Sequence, residues 1–260
     1  MGMTMHKVRL PHVRPQKDWN RVSLFCTTRH GGVSKPPYDS FNLGMNTEDF
    51  PEVVAANRSL LRQSLPSDPF WLKQVHGCHV ADADVEPTQN STQFACEADA
   101  SVTSVPGRVL TILTADCLPI VLADHAGTVL GVAHAGWRGL AGGVLEACLE
   151  SMRLKSPRAE KWRAWIGPGI GPTAFQVGED VRKAFEGYGA DRVGMFVPDP
   201  AAKGKWFANL PALARWRLQS LGVDEIEDCG LCTMTDAQRR FFSYRRDQQT
   251  GRMATVAWLT

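Results

Sequence analysis

Net charge is almost absent from this chain. Lys and Arg exceed Asp and Glu by only +2 over 260 residues, so no whole-molecule field draws it to nucleic acid or to a membrane surface. Long apolar runs are missing as well, and no stretch suffices to span a bilayer. The opening segment MGMTMHKVRLPHVRPQKDW has no apolar h-region, and His6 occupies the position where a myristoylation signal needs Ser or Thr. The expectation is a cytoplasmic protein without a secretory leader or lipid anchor. The 7 cysteines are odd in number and scattered, which suits a reducing compartment better than a disulfide framework. Cys229 and Cys232 form one CxxC with no second pair, and free cysteines usually pack as small hydrophobes. The loop GPGIGP at 167–172 lacks the lysine of a phosphate-binding P-loop and the GxGxxG order, which removes both nucleotide signatures. No internal repeat, low-complexity tract or composition break marks a linker. One mixed α/β domain over residues 21–260, preceded by an extension at 1–20, is therefore expected.

What the chain does contain is concentrated in TADCLPIVLADHAGTVLGVAHAGWRG, residues 114–139. Two apolar runs, 118–122 and 128–133, flank the turn residues Asp124-His125-Ala126-Gly127 and predict a β-hairpin. In an antiparallel pair the start of the first strand lies opposite the end of the second, which brings Cys117 toward His134. A thiol beside an imidazole makes either a transition-metal site or a nucleophile–base pair. A helix is expected just after Trp137-Arg138-Gly139, with the stripe Leu140, Val144, Ala147, Cys148 and Met152. Its N-terminus would lie near His134 and favour an anion.

Further strands are expected at 21–28, 70–76, 97–102, 108–115, 162–166, 223–228 and 252–259, and a polar loop at 81–93. Helices are expected at 51–65, 178–188 and 209–221. The first carries the stripe Val53, Asn57, Leu60, Leu61 and Ser64 and stops at Pro66. Gly31-Gly32 and Pro36-Pro37 make residues 29–43 a long surface loop, of the kind that often carries function.

His76, Cys117 and His134 each sit at a strand end beside a turn residue. Two imidazoles and one thiolate are a good zinc set, and three ligands leave a fourth position for water or substrate. Copper accepts the same donors. The alternative is a buried Cys117 and hydrogen-bonded histidines. His125, at the hairpin turn, is expected to be solvated, and His79, an alternative to His76 as ligand, to be an exposed strand residue. Asp116 and Asp99 are candidates to orient a ligand or act as bases, or are plain turn residues. Arg138 and Arg29 are candidate anion holders. The segment RRFFSYRRD at 239–247 interleaves basic and aromatic residues as single-strand binders do, but it is too short in a near-neutral chain to carry that reading.

QVHG at 74–77, TADCLPI at 114–120, HAGWRG at 134–139 and FFSYRRD at 241–247 together resemble the YfiH family. TTRHGGVS at 27–34, SFNLG at 40–44 and IGPGIGPTAFQVG at 166–178 fit the same pattern. Members of that family have been described as laccase-like polyphenol oxidase, purine nucleoside phosphorylase and peptidoglycan editing factor. The resemblance implies a central β-sheet sandwich flanked by helices, similar to cytotoxic necrotizing factor. It implies His76, Cys117 and His134 as ligands of zinc, with copper in some members. Cys117, Arg138 and Asp116 are the expected catalytic residues, and Arg29, Asn42, Gln74 and Arg138 the expected substrate contacts. The expected activity is zinc-dependent phosphorolysis of purine nucleosides (adenosine, inosine, methylthioadenosine) with adenosine deamination. The alternatives are a peptidoglycan-precursor amidase and a copper-dependent polyphenol oxidase. A small molecule is the expected partner, with neither nucleic acid nor membrane. Gln176 departs from the family pattern, in which Glu is common, and the segment after Asn46 lacks the usual Gly-Asp.

Overall fold

The run LPIVLAD, residues 118–124, is buried at every position, because the strand it forms has a packed layer on each face. In a computed structural model describing residues 10–85, 96–188 and 194–260, Leu118, Ile120 and Leu122 join one apolar cluster while Val121 and Ala123 join another. That alternation is the period of two that a strand imposes. The strand lies inside a six-stranded sheet ordered Glu225–Asp228, Trp162–Ile166, Leu118–Asp124, Leu130–Ala135, Ala100–Thr103, Val80–Asp82. A five-stranded sheet faces it, ordered His12–Val13, Val22–Thr27, Met253–Leu259, Val109–Thr114, Pro69–Phe70.

The layers follow from which side chains meet. Leu24, Ile112 and Ala257 of the five-stranded sheet pack with Val121, Val132 and Trp165 of the six-stranded one. On the outer face of the first sheet, Leu61 of the helix Pro51–Arg62 meets Val109, Ala254 and Val256. On the outer face of the second, the helices Val144–Lys155 and Leu210–Ser220 contribute Leu145, Cys148, Leu213 and Leu218. The result is a mixed α/β chain with two stacked sheets between helices. Among the described residues, no helix is long and apolar enough to cross a membrane.

The hairpin pairs with Ala135 opposite Leu118 and His134 opposite Pro119, so Cys117 does fall beside the end of the second strand. Several expectations need correction. The second strand begins at Leu130 rather than 128. The first helix ends at Arg62, short of Ser64, and buries Val54, Asn57 and Leu61, with Asn57 bound to the 29–43 loop through polar bonds. Its side chain accepts from Val33 N and donates to Asn42 O, both at 2.9 Å. The helix expected after residue 139 is two helices, Trp137–Gly142 and Val144–Lys155, broken at Gly143, whose φ of 99° is left-handed. The segment 178–188 is also split, into Glu179–Ala184 and a 3-10 turn Glu186–Tyr188. The polar loop expected at 81–93 begins with the strand Val80–Asp82 and otherwise lies partly outside the described residues.

Residues 70–76 are not one strand. Pro69–Phe70 pairs with the five-stranded sheet and Leu72–Lys73 with Cys96–Glu97. The chain then leaves regular pairing, and the Gln74 amide replaces it. Its Nε2 donates to Leu113 O and its Oε1 accepts from Leu113 N, both at 2.8 Å. This releases the backbone to turn sharply at His76.

Candidate metal centre and cleft

His76, Cys117 and His134 come from three separate stretches, yet one ligand atom of each lies within 4.8 Å of the others. Among the described residues they form the one such cluster of metal-binding side chains. Cys117 Sγ is 3.9 Å from His76 Nε2, and the two imidazole centroids are 4.7 Å apart at 70°. In a tetrahedral zinc site the S···N edge is about 3.6 Å, so the Cys117–His76 edge stands within a few tenths of an ångström of a coordinating distance.

Backbone geometry makes the approach possible. His76 adopts φ 63° and Asp116, next to Cys117, φ 96°. Left-handed non-glycine residues each cost on the order of 1–3 kcal/mol and gather at functional sites. Gly136 closes the third side. A Cβ there would sit 2.8 Å from Cys117 Sγ and 3.2 Å from His76 Cδ2, so only glycine leaves room.

Asp99 ties the cluster together. Its carboxylate is fully buried. Oδ1 accepts from His134 Nδ1 at 2.8 Å and from His76 N at 2.9 Å. Oδ2 accepts from Gly77 N at 2.7 Å and Val75 N at 3.1 Å. With Nδ1 engaged, His134 has Nε2 left for a metal, the arrangement that carboxylate–histidine–metal sites use. Burial raises the Asp99 pKa, but the His134 bond and the Gly77 and Val75 amides outweigh it and hold the carboxyl below its ordinary range. Burial would also raise the Cys117 thiol. The charge and hydrogen bond of His134, then those of His76, reverse this and lower it. For His134, burial lowers the pKa, but Cys117 and then Asp99 raise it above the usual imidazole value. Metal-free protein is therefore expected to hold Cys117 as thiolate beside His134. Burial instead pushes Cys78 and Cys96 upward, Asp99 adding to the effect at Cys78. At pH 7 iodoacetamide should label Cys117 ahead of both, and added zinc should protect it. Peptide mass spectrometry after brief alkylation reads this directly, and equal labelling of the three would contradict it.

The cluster forms part of the wall of a cavity of about 460 Å³, within the range of small-molecule sites. Leu72, Ile170, Phe175 and Tyr244 give it apolar and aromatic surface, and Arg245 and Arg252 give it charge. Asp116 and Gln74 also line it. Asp116 accepts from Thr233 Oγ1 and from Arg245 N, both at 2.6 Å.

Other expected site residues lie elsewhere. Arg138 is exposed in the six-residue helix, stacked 4.3 Å from the Trp137 ring, and does not line the cavity. Arg29 donates Nε to Asp39 O and Nη2 to Asp39 Oδ1 at 2.7 and 2.9 Å. Asn42 is fully buried and acts on the backbone, its Oδ1 accepting from Gly44 N and Arg252 N. His79 is exposed with Nδ1 on Glu97 O. His125 is half-buried rather than solvated, with Nε2 enclosed and unbonded and its backbone N donating to Lys161 O at 3.1 Å. Cys229 is pushed up to about 12, chiefly by burial, and Cys232 Sγ accepts from Gly171 N at 3.1 Å. In the 239–247 segment Phe241 and Phe242 are core residues and Arg246 bonds to Thr233, Phe241 and Asp247. Arg252 was missed by sequence reasoning altogether, since TGRM carries no motif signal.

Residues 23–260 match the family described as multi-copper polyphenol oxidoreductase laccase. The chain is 45% identical over 240 residues to the Escherichia coli purine nucleoside phosphorylase YfiH, covering 92% of this chain and 94% of that one. It belongs to the YfiH family. Among other YfiH-family relatives, a Pseudomonas aeruginosa purine nucleoside phosphorylase is 45% identical over 245 residues, covering 93% of this chain and 96% of its own. Among solved structures, a Neisseria meningitidis protein superposes with TM-score 0.83 at 40% identity, covering 93% of this chain and 97% of that chain. The YfiH protein of Bacillus licheniformis gives 0.83 at 28%, covering 94% of each. The family's description and the names of the Escherichia coli and Pseudomonas aeruginosa relatives are those of enzymes, and these two relatives are named for a small-molecule reaction.

Proposed function

We propose that this protein is a zinc-dependent purine nucleoside phosphorylase that also deaminates adenosine, with adenosine, inosine and methylthioadenosine as substrates. The observation that carries the reading is the buried Asp99–His134 pair presenting a His–Cys–His donor set to an apolar-walled cavity. The donor set fits zinc, with copper the competing metal. His76, Cys117 and His134 would hold the ion, which supplies Lewis acidity and a bound water of lowered pKa. The chain's own residues do the rest. Asp99 keeps a proton on His134 Nδ1. Phe175 and Tyr244 offer ring surface to a purine, and Leu72 and Ile170 exclude water from the reacting bond. Asp116, fixed by Thr233 and Arg245, is the carboxylate available as base. In phosphorolysis a phosphate oxygen attacks C1′ and the purine leaves. In deamination water adds at C6 and ammonia leaves. The catalytic domain in this reading spans 21–260, with 1–20 as an extension, in a cytoplasmic protein.

The test is zinc-loaded protein given inosine with and without phosphate. Phosphate-dependent hypoxanthine and ribose 1-phosphate, lost on chelation, are expected, and ammonia is expected from adenosine. Intact inosine at saturating phosphate would end the reading. A second reading rests on the row Asp99–His134–Cys117, whose order is that of a cysteine nucleophile, its base and an orienting carboxylate. It makes the protein a peptidoglycan-precursor amidase, a reading with which the expected likeness to cytotoxic necrotizing factor would agree. Cleavage of muropeptide precursors by the metal-free form would favour it. Copper-dependent phenol oxidation, which the family's description suggests, requires oxidase turnover that tracks copper loading.

A further inference from the structure

Two cations in the cleft form no ion pair with a carboxylate among the described residues. Arg252 Nη1 donates to Thr250 O at 2.9 Å and Gly251 O at 3.0 Å, and no described residue accepts from its Nε or Nη2. Arg245 Nη1 donates to Ala174 O and Gln176 O, and its guanidinium likewise makes no ion pair among the described residues. Burial lowers the Arg252 pKa from its ordinary value and outweighs the opposing pull of the Cys117 and Asp116 charges, the mark of a charge partly stripped of water. A half-buried cation without a counterion is costly, and here the chain goes to some length to hold it. Asn42 Oδ1 accepts from Arg252 N at 2.9 Å, and Leu43 N donates to Arg252 O at 3.1 Å. Gly44 makes room for the stem, since a Cβ there would lie 2.7 Å from Arg252 Cγ. The motif SFNLG thus serves to seat Arg252. Asp116, the one carboxylate of the lining, already accepts from Thr233 and from the Arg245 amide.

We propose that Arg252 and Arg245 form the inorganic-phosphate subsite of this cleft, in the cavity that His76, Cys117 and His134 also line. Guanidinium forks match a tetrahedral oxyanion in geometry and charge. The inference deepens the phosphorylase reading and rests on it for the choice of anion. It also moves the anion away from Arg138 and the short helix that the sequence suggested.

The experiment is calorimetric titration of zinc-loaded protein with inorganic phosphate, joined to steady-state kinetics on inosine. Wild type should bind phosphate, with sulfate competing and acetate not. Arg252→Met and Arg245→Met should each weaken phosphate binding and raise its KM about 10- to 100-fold, with the inosine KM nearly unmoved. Arg138→Met should bind as wild type. If Arg252→Met fails to fold by circular dichroism, Arg252→Lys should fold and still weaken phosphate, because an ammonium cannot reproduce the fork. Undiminished phosphate binding in the arginine variants, loss on Arg138→Met instead, or acetate competing as well as sulfate would overturn the subsite. Phosphate binding that depends on Arg252 in a protein that leaves nucleosides intact would keep the subsite and end the phosphorylase reading. Phosphorolysis with an unmoved phosphate KM in Arg252→Met would do the reverse.

Discussion

Replacing Cys117 with alanine is expected to abolish stoichiometric zinc binding and to reduce nucleoside turnover by about 100-fold or more, beyond what loss of a ligand's supporting partner costs. Cys117 is the only anionic donor of the set, since His76 and His134 bind metal as neutral imidazoles. Without it two neutral nitrogens remain, one of them on an exposed residue whose backbone is in the left-handed region. The fold itself should hardly change. Cys117 is half-buried and borders an existing cavity, so truncation creates little new void. Zinc content by mass spectrometry and inosine turnover, measured beside an unchanged thermal midpoint of the metal-free forms, check the prediction. A variant that keeps one zinc and full turnover would remove Cys117 from the centre. Cys117→Ser should regain little, because a hydroxyl stays protonated where a thiol does not.

Asp99→Asn should damage both stability and the site. The carboxylate is acceptor-only and takes four donors: His134 Nδ1 and the amides of Val75, His76 and Gly77. An asparagine offers one acceptor oxygen and turns an NH₂ toward N–H groups that have no other described partner. Leaving buried donors unpaired costs about 1–3 kcal/mol each, so a loss on the order of 2–4 kcal/mol is expected after relaxation. The His76 turn loses its anchor, and His134 loses the bond that fixes its tautomer. Metal affinity should fall about 10- to 100-fold, as for other supporting carboxylates. Denaturant unfolding of the apo form and competitive zinc titration separate the two effects. Wild-type zinc affinity in a destabilised variant would mean that Asp99 serves the fold alone.

The hairpin shows how far local pattern reaches. Two apolar runs about a Gly turn fixed antiparallel pairing, and pairing alone brings Cys117 beside the end of the His134 strand. The run at 108–115 likewise predicts a strand, and Val109–Thr114 is one, buried at every position but Leu113. Residues 70–76 failed for a reason local pattern cannot express. Their pairing partners belong to two different sheets, and a side-chain amide from Gln74 stands in for the ladder. The helix after residue 139 failed because a left-handed Gly143 interrupts a continuous stripe.

The chain's own order of residues decided the donor types, the hairpin that aligns two of them, and the family, because strand period, turn chemistry and motif order are written in adjacent residues. Only the folded molecule decided that Asp99 is the hub of the cluster, that Asn42 and Gly44 act on Arg252 rather than on a ligand, and that Arg138 lies outside the cleft. Those assignments depend on contacts between segments tens to hundreds of residues apart, and no local periodicity encodes which buried carboxylate or cation will meet which partner.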